Sequence, residues 1–211
     1  RGQEVRYRSR LLFMCSGYYR YSAGYTPDFP GLEEFAGTVV HPQLWPDDLV
    51  YSNKRVAVIG SGATAVTLIP AMADKASHVT MVQRSPTYIV SMPSKDRLAN
   101  MLNRLMPAAW AYASTRWRNI RFQNYFYKQA IERPAKTRAY ILKRLRKALK
   151  PEIDVEKHFT PSYDPWTQRL CLVPDSDLFH VLNSGKADVT TGTIARITSC
   201  LLYTSPSPRD R

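Results

Sequence analysis

The run Arg55-Val-Ala-Val-Ile-Gly60-Ser61-Gly62-Ala63-Thr64-Ala65 carries a β-branched strand pattern straight into a glycine turn. In this G-x-G-x-x-A spacing, Gly60 allows a tight strand-to-helix turn and Gly62 lets backbone amides approach a pyrophosphate with no side chain between. Ala65 replaces a third glycine and still permits close helix-to-strand packing. The helix that follows offers unpaired N–H groups and about half a positive charge to phosphates. Residues 60–65, with Ser61, Ala63 and Thr64 completing the turn, are therefore the candidate cradle of a dinucleotide. About 20 residues beyond the turn, an NAD site usually places an acidic residue on the ribose 2′-hydroxyl. This chain has Gln83-Arg84-Ser85 there. A guanidinium fork grips a 2′-phosphate and a serine hydroxyl adds a further bond, so Arg84 and Ser85 favour NADP.

The elements that position these residues read as α/β. Residues 54–59 predict a strand, 63–77 a helix kinked at Pro70, and 78–83 a second strand, together one βαβ unit. Residues 7–16, with Leu-Leu-Phe-Met-Cys, predict a short strand buried on both faces. Residues 18–31 read as an ordered Tyr-, Gly- and Pro-rich loop, and Trp45-Pro46-Asp47-Asp48 as a turn. From 95 to 150, Leu98, Met101, Leu102, Leu105 and later Ile141, Leu142, Leu145, Leu149 recur at three and four residues, predicting an all-α insertion. Residues 151–165 read as a polar loop, 169–173 as a strand, 177–184 as a short helix capped by Asp175 or Ser176, and 187–191 as a strand. Residues 199–211 continue no period and are expected to be a non-native tail.

At 211 residues and 44% apolar content, the chain can bury one sizeable core, or one domain with pieces of another. The first methionine is Met14 and residues 1–8 resemble the middle of a strand or hairpin, so a fragment of a longer protein is expected. No apolar run approaches the roughly 20 residues of a membrane helix, and a soluble cytoplasmic protein is the expectation. Cys15, Cys171 and Cys200 lie far apart with no CxxC, which supports neither a disulfide framework nor a metal site. The formal charge of +13 is localised: residues 95–150 hold 15 basic and 2 acidic residues, a net of +13, while the flanks net +2 and −2.

A second pattern precedes the glycine turn: Phe35-x-Gly37-x-x-x-His41-x-x-x-Trp45-Pro46. It resembles the fingerprint of the Baeyer-Villiger monooxygenases, within the flavin-containing (class B) monooxygenases, and most nearly the ethionamide-activating FAD-containing type. Cys15-Ser16-Gly17 with Pro27-Asp28-Phe29-Pro30-Gly31 is similar to the family's flavin-side segment, and Gln83-Arg-Ser-Pro-Thr-Tyr-Ile-Val and Gln168-Arg-Leu-Cys-Leu-Val-Pro extend the likeness over residues 11–198.

The resemblance implies FAD and NADP as cofactors. It implies insertion of one oxygen atom from molecular oxygen into ketones, giving esters or lactones, or its transfer to sulfur, by way of a flavin peroxide. It implies that Arg169 is the active-site arginine and that His41 supports the linker coupling two domains; these are the catalytic candidates. Gln168 stands where the family often has a second 2′-phosphate contact, a lysine, and is the remaining cofactor candidate. The implied organisation is part of an FAD-binding domain (1–34), the fingerprint linker (35–53), a Rossmann-like NADP-binding unit (54–94), the basic helical insertion (95–150), a return to the NADP domain (151–198) and the tail. The family's own FAD glycine fingerprint is absent from the chain.

The basic helices, with Trp110, Trp117, Phe122, Tyr125, Phe126 and Tyr127 among their arginines, read as a solvated face, as part of a substrate-cavity wall, or as a peripheral patch for an anionic membrane. Nucleic acid is not expected, because no motif organises these charges. A stand-alone NADP-binding oxidoreductase module stays open, although a plain dehydrogenase would need a Tyr-x-x-x-Lys that is missing. Disulfide reductase chemistry would need paired cysteines.

Overall fold

The computed structural model of the chain describes residues 4–15, 17, 20 and 22–205. In chain order the elements are β1 (Arg55–Ile59), α1 (Ala63–Ala73), β2 (His78–Gln83), β3 (Tyr88–Met92), α2 (Arg97–Leu105), α3 (Ala108–Glu132) and α4 (Pro134–Ala148). Then follow α5 (Val155–Phe159), β4 (Leu170–Pro174), α6 (Asp177–Asn183), β5 (Ala187–Thr191), β6 (Thr193–Ile197) and β7 (Leu202–Ser205).

The fold is α/β, built on a parallel three-stranded sheet in the order β1-β2-β5. Arg55 stands opposite His78 and Ile59 opposite Val82; Val79 stands opposite Ala187 and Gln83 opposite Thr191. All three strands therefore end on one edge. Val66, Ile69 and Met72 recur at three residues along α1 and bury one stripe. They cluster with Val79 and Met81 of β2 and Leu178, Phe179 and Leu182 of α6. Full burial of a side chain such as Ile69, 0% exposed, contributes roughly 1.5–3 kcal/mol. Leu142, Leu145 and Leu149 join the same core from the end of the insertion, as do Val155 and Phe159 of α5. Helix α3 buries only Ala111 and Ala130 over its 25 residues.

Several expectations need correction. Residues 11–15 form no strand; Leu11, Leu12, Phe13 and Met14 are exposed, and among the described residues no strand lies beside them to supply ladder partners. The expectations for residues 1–3, Ser16, Tyr18, Tyr19, Tyr21 and 206–211 fall outside the described residues. Helix α1 stops at Ala73, where the N–H groups of Lys75 and Ala76 both turn onto the Met72 carbonyl. Bonds from Asn53 N to Lys75 O and from Ser77 N to Lys54 O then pull the chain back toward β2.

The 151–165 loop contains α5, capped by the Asp154 carboxylate on Lys157 N. Its Val155 and Phe159, one turn apart, are both buried. Strand β3 was not anticipated; it pairs in parallel with β4, Tyr88 opposite Leu170. Ser176 is the N-cap of α6 by position only, in a left-handed conformation with no side-chain cap bond: its hydroxyl lies 2.7 Å from Ser91 Oγ instead, and the Asp175 carboxylate is committed to Ser94. In the region expected to be a tail, Leu202–Ser205 pairs antiparallel with β6.

Candidate functional site

Gly60, the first residue after β1, has φ +134°, a region reserved in practice for glycine. Its N–H continues the ladder to Val82 O at 2.8 Å. Ser61 turns inward, is 4% exposed, and places its hydroxyl 3.0 Å from Thr87 Oγ1 and 3.3 Å from the Ser85 carbonyl oxygen. The middle residue of the glycine turn thus ties it to the segment carrying Arg84 and Ser85.

Gly62 is the N-cap of α1 and extended, at φ −82° and ψ −178°, with no side-chain cap and no acidic residue in the first helical turn. The first N–H groups of α1 therefore lack a protein side-chain acceptor, as an anion-binding helix end requires. Ala63 and Thr64 are exposed in that turn, and Ala65 is buried.

A Cβ on Gly62 would meet one neighbour, Arg169 Nη1 at 4.0 Å. Arg169, 107 residues later in sequence, thus faces the glycine turn across a gap that glycine leaves open. Among the described residues no ion pair joins it to Asp164 or Asp175. Its backbone is fixed by a relay: the Tyr88 hydroxyl donates to Tyr163 O at 2.8 Å, and the Tyr163 hydroxyl donates to Arg169 O at 2.8 Å. The two rings meet edge to face at 5.4 Å. Tyr88 is 0% exposed and burial raises its phenol above the ordinary value, so it stays protonated and able to donate.

Trp166, at φ +73°, anchors the same loop to α3 through ring contacts with Phe126 at 6.1 Å and Tyr127 at 6.2 Å. Cys171 lies beneath the turn, its thiol 3.8 Å from Ser61 O. Burial pushes that thiol up, opposed by the Arg169 charge.

Arg84 and Ser85 follow β2 on the sheet edge that carries Gly60, and both are exposed. Gln168 is exposed next to Arg169. The structure therefore gathers Gly60, Ser61, Gly62, Ala63, Thr64, Ala65, Arg84, Ser85 and Arg169 at the carboxyl edge of the parallel strands, where open α/β sheets bind ligands. An NADP pyrophosphate fits this turn: the space over Gly62 is open, the helix end is uncapped, and a cation faces it. Strand, glycine turn and helix occur together once among the described residues, so no second cradle for a flavin nucleotide is present there.

His41 does not join this group. Its Nδ1 accepts from Gln43 N at 3.2 Å and caps a short 3-10 turn, Pro42–Leu44. Its ring covers Gly24, where a Cβ would overlap the imidazole, and the Phe35 ring similarly covers Gly37, with a would-be Cβ 2.5 Å from Phe35 Cε1. The spaced Phe, Gly and His thus shape the local fold of this segment.

Sequence reasoning missed Thr87, Tyr88 and Tyr163. A lone tyrosine hydroxyl inside an apolar strand must find an acceptor, and that was the available signal. It also missed Gln83, 2% exposed in the last position of β2. Its amide donates to His158 O at 2.6 Å and Thr191 Oγ1 at 2.9 Å.

A sequence model of the flavin-binding monooxygenase-like family matches residues 9–159. The chain belongs to that family. Among relatives, the FAD-containing monooxygenase EthA of Mycobacterium tuberculosis is 52% identical over 190 residues, covering 90% of this chain and 39% of the relative. The probable FAD-binding monooxygenase AlmA of Acinetobacter baylyi is 50% identical over 185 residues, covering 87% of this chain and 37% of the relative. This flavin-binding monooxygenase-like chain thus spans about two-fifths of the length of the relatives it matches. Its fold is shared with cyclohexanone monooxygenase from Rhodococcus sp. Phi1 bound to NADP+, at TM-score 0.61 and 19% identity, covering 86% of this chain and 41% of that one. It is shared also with an oxidized steroid monooxygenase bound to NADP, at TM-score 0.62 and 20% identity, with the same coverage.

Proposed function

We propose that the chain is the NADPH-binding part of an FAD- and NADPH-dependent monooxygenase that inserts one oxygen atom of molecular oxygen into ketones, giving esters or lactones, or transfers it to sulfur. The carrying observation is the meeting of three separate segments at one sheet edge: the Gly60–Gly62 turn, the Arg84-Ser85 pair tied to it through Ser61, and Arg169 facing Gly62. Relatives at about half identity named as FAD-containing or FAD-binding monooxygenases support the same reading. In this reading residues 1–34 belong with a flavin domain, 35–53 are a linker, and 54–94 with 151–198 form the NADP unit around the 95–150 insertion. FAD is assigned to the whole protein.

NADPH, when bound, supplies the hydride that reduces the flavin. The uncapped N-terminus of α1 holds its pyrophosphate, with Arg169 closing the opposite side. Arg84 and Ser85 hold the 2′-phosphate. Gln168 adds a neutral contact at most, which leaves the discrimination against NADH on Arg84. The Arg169 guanidinium cannot lose its proton, and it stabilises negative charge that develops on the oxygenated substrate, a contribution of about 3–4 kcal/mol for a donor of this kind. Tyr88 and Tyr163 are positioning residues for it, and His41 holds the linker.

The test is Arg169→Ala in the whole protein. NADPH is still consumed, with weaker NADPH affinity because the phosphate turn loses its facing cation, while ester or sulfoxide product disappears. Product formation at the wild-type rate sinks the assignment.

The insertion supports a further reading about location, a peripheral contact between a cytoplasmic protein and an anionic membrane surface. Trp110, Trp117 and Phe122 are 70%, 65% and 58% exposed among Arg116, Arg118 and Arg121. No helix among the described residues is long and apolar enough to cross a membrane.

A further inference from the structure

Helix α3 buries Ala111 and Ala130 alone, although tryptophan, tyrosine, phenylalanine and isoleucine recur along its 25 residues. They stand on several sides of it, and a helix that is apolar all round is one its protein covers.

One set of these residues has a regular period. Trp110, Trp117, Asn124 and Ile131 stand seven residues apart, and Ala113, Ile120 and Tyr127 each follow by three. Alternating steps of three and four put all seven on one narrow stripe, about 32 Å long. Trp110 and Trp117 are 70% and 65% exposed, Ile120, Tyr127 and Ile131 are 45–50% exposed, and Ala113 and Asn124 are open as well. Arg118, which α2 holds through Asp96, projects nearly opposite, so the stripe is turned away from α2.

This spacing is that of a seam between two helices, and a single polar residue in it, here Asn124, fixes the register of the pair. The margins of the seam are basic. Arg116 lies on one side; on the other, Arg121 stacks over the Trp117 ring at 5.3 Å and Lys128 reaches Glu132 at 3.7 Å. A second copy of the chain would set these cations against their own kind. Lipid suits a broad apolar arc with its cations on the opposite face, whereas this stripe is narrow, interrupted by Asn124 and edged by cations. The two tryptophans alone expose on the order of 300 Å², already near the largest patch an unpartnered protein keeps. The relatives matched by this chain have about three-fifths of their length outside it, enough to supply the cover.

We propose that the seam seats a helix of about 20 residues from the part of the same protein outside residues 1–211. That helix carries small side chains opposite Trp110 and Trp117, a hydrogen-bonding group opposite Asn124, and carboxylates along its margins. The membrane contact of the insertion then falls to the side that bears Phe122 and Tyr125.

The test uses the whole protein with the photo-crosslinker p-benzoylphenylalanine placed at Ile120, on the seam, or at Phe122, off it. Irradiation from position 120 is expected to join one helical segment outside residues 1–211, rich in Asp and Glu, and from position 122 to join that segment at least about fivefold less. A crosslink to a second copy, to added phosphatidylglycerol, or only within residues 1–211 overturns the proposal, as does equal yield from both positions. A second measurement needs no crosslinker. Ile120→Asp is expected to lower the thermal midpoint of the whole protein by about 4 °C or more, and Phe122→Asp to leave it within about 1 °C. Equal shifts for the two variants overturn the assignment of the seam.

Discussion

The interlock of Gly24 and His41 predicts an unusual response to a single methyl group. Alanine at position 24 would place its Cβ on Cε1, Nδ1 and Nε2 of the His41 ring. The ring is the free end of a side chain, so it swings away instead of being compressed. Swinging away breaks the bond that Nδ1 accepts from Gln43 N, about 1 kcal/mol for a helix cap. Crowding in the new position adds about 1 kcal/mol.

A total near 2 kcal/mol corresponds to about a 30-fold change in an opening equilibrium. The structure also provides the reporter. Gln43 Nε2 donates to the Arg20 carbonyl at 2.9 Å, and the peptide bond of that carbonyl is the one trypsin cuts. When opening is fast relative to cleavage, the cleavage rate follows the population of the open form.

Gly24→Ala should therefore accelerate appearance of the fragment ending at Arg20 by roughly 10- to 30-fold. In a His41→Ala background, where no ring remains to be displaced, the same change should add little. Equal acceleration in both backgrounds, or none in either, refutes the interlock.

The chain should also lose stability toward acid with a contribution traceable to His158. Burial holds its imidazole below the ordinary 6.5, outweighing the attraction of Asp154 and Asp188. On acidification the unfolded chain binds the proton first, so this contribution is fully present above about pH 6.5 and declines as pH falls below it. The urea midpoint should drop between pH 7 and 5, and His158→Gln should flatten that drop; an unchanged acid slope would argue against it. The surface reading of the insertion predicts co-sedimentation with vesicles containing phosphatidylglycerol, release by about 0.5 M salt, and no binding to pure phosphatidylcholine. Equal binding to both vesicle types would remove it.

Legibility in the sequence followed the range of the interactions. The β1-α1-β2 unit could be read because Val56, Val58 and Ile59 lead directly into Gly60, and everything that shapes the turn is local. The insertion was readable from its three- and four-residue spacing. Strand β3 was not, because its partner β4 lies about eighty residues away and pairing is not written in either segment alone. Leu11–Cys15 shows the converse: an apolar composition states that a segment can be a buried strand, but burial is decided by a neighbour. Helix α5 is too short for periodicity to speak, being one turn with a buried residue at each end.

At the site, the glycines and Arg84 were visible as types at a known spacing. The link between them was not. Ser61 looks like a spacer in the motif, and its bonds to Ser85 O and Thr87 depend on how the β2-to-β3 connection folds back. The partners of Arg169 were likewise hidden. Among the described residues neither Asp164 nor Asp175 forms an ion pair with it, and what fixes it is a pair of tyrosines acting on its backbone.

The loop that carries Arg169 is fastened at two places to two different bodies. Tyr88 holds it to the β3-β4 pair, and Trp166 holds it to α3 through Phe126 and Tyr127. A cation slung between two supports takes its position from both, as a rope bridge takes its sag from both banks. Packing changes far out on α3, in residues that touch neither nucleotide nor substrate, would then shift the guanidinium relative to Gly62. The insertion is in this sense a tuning peg: sequence drift along its helices can reset the reach of the arginine while the glycine turn and Arg84 stay untouched.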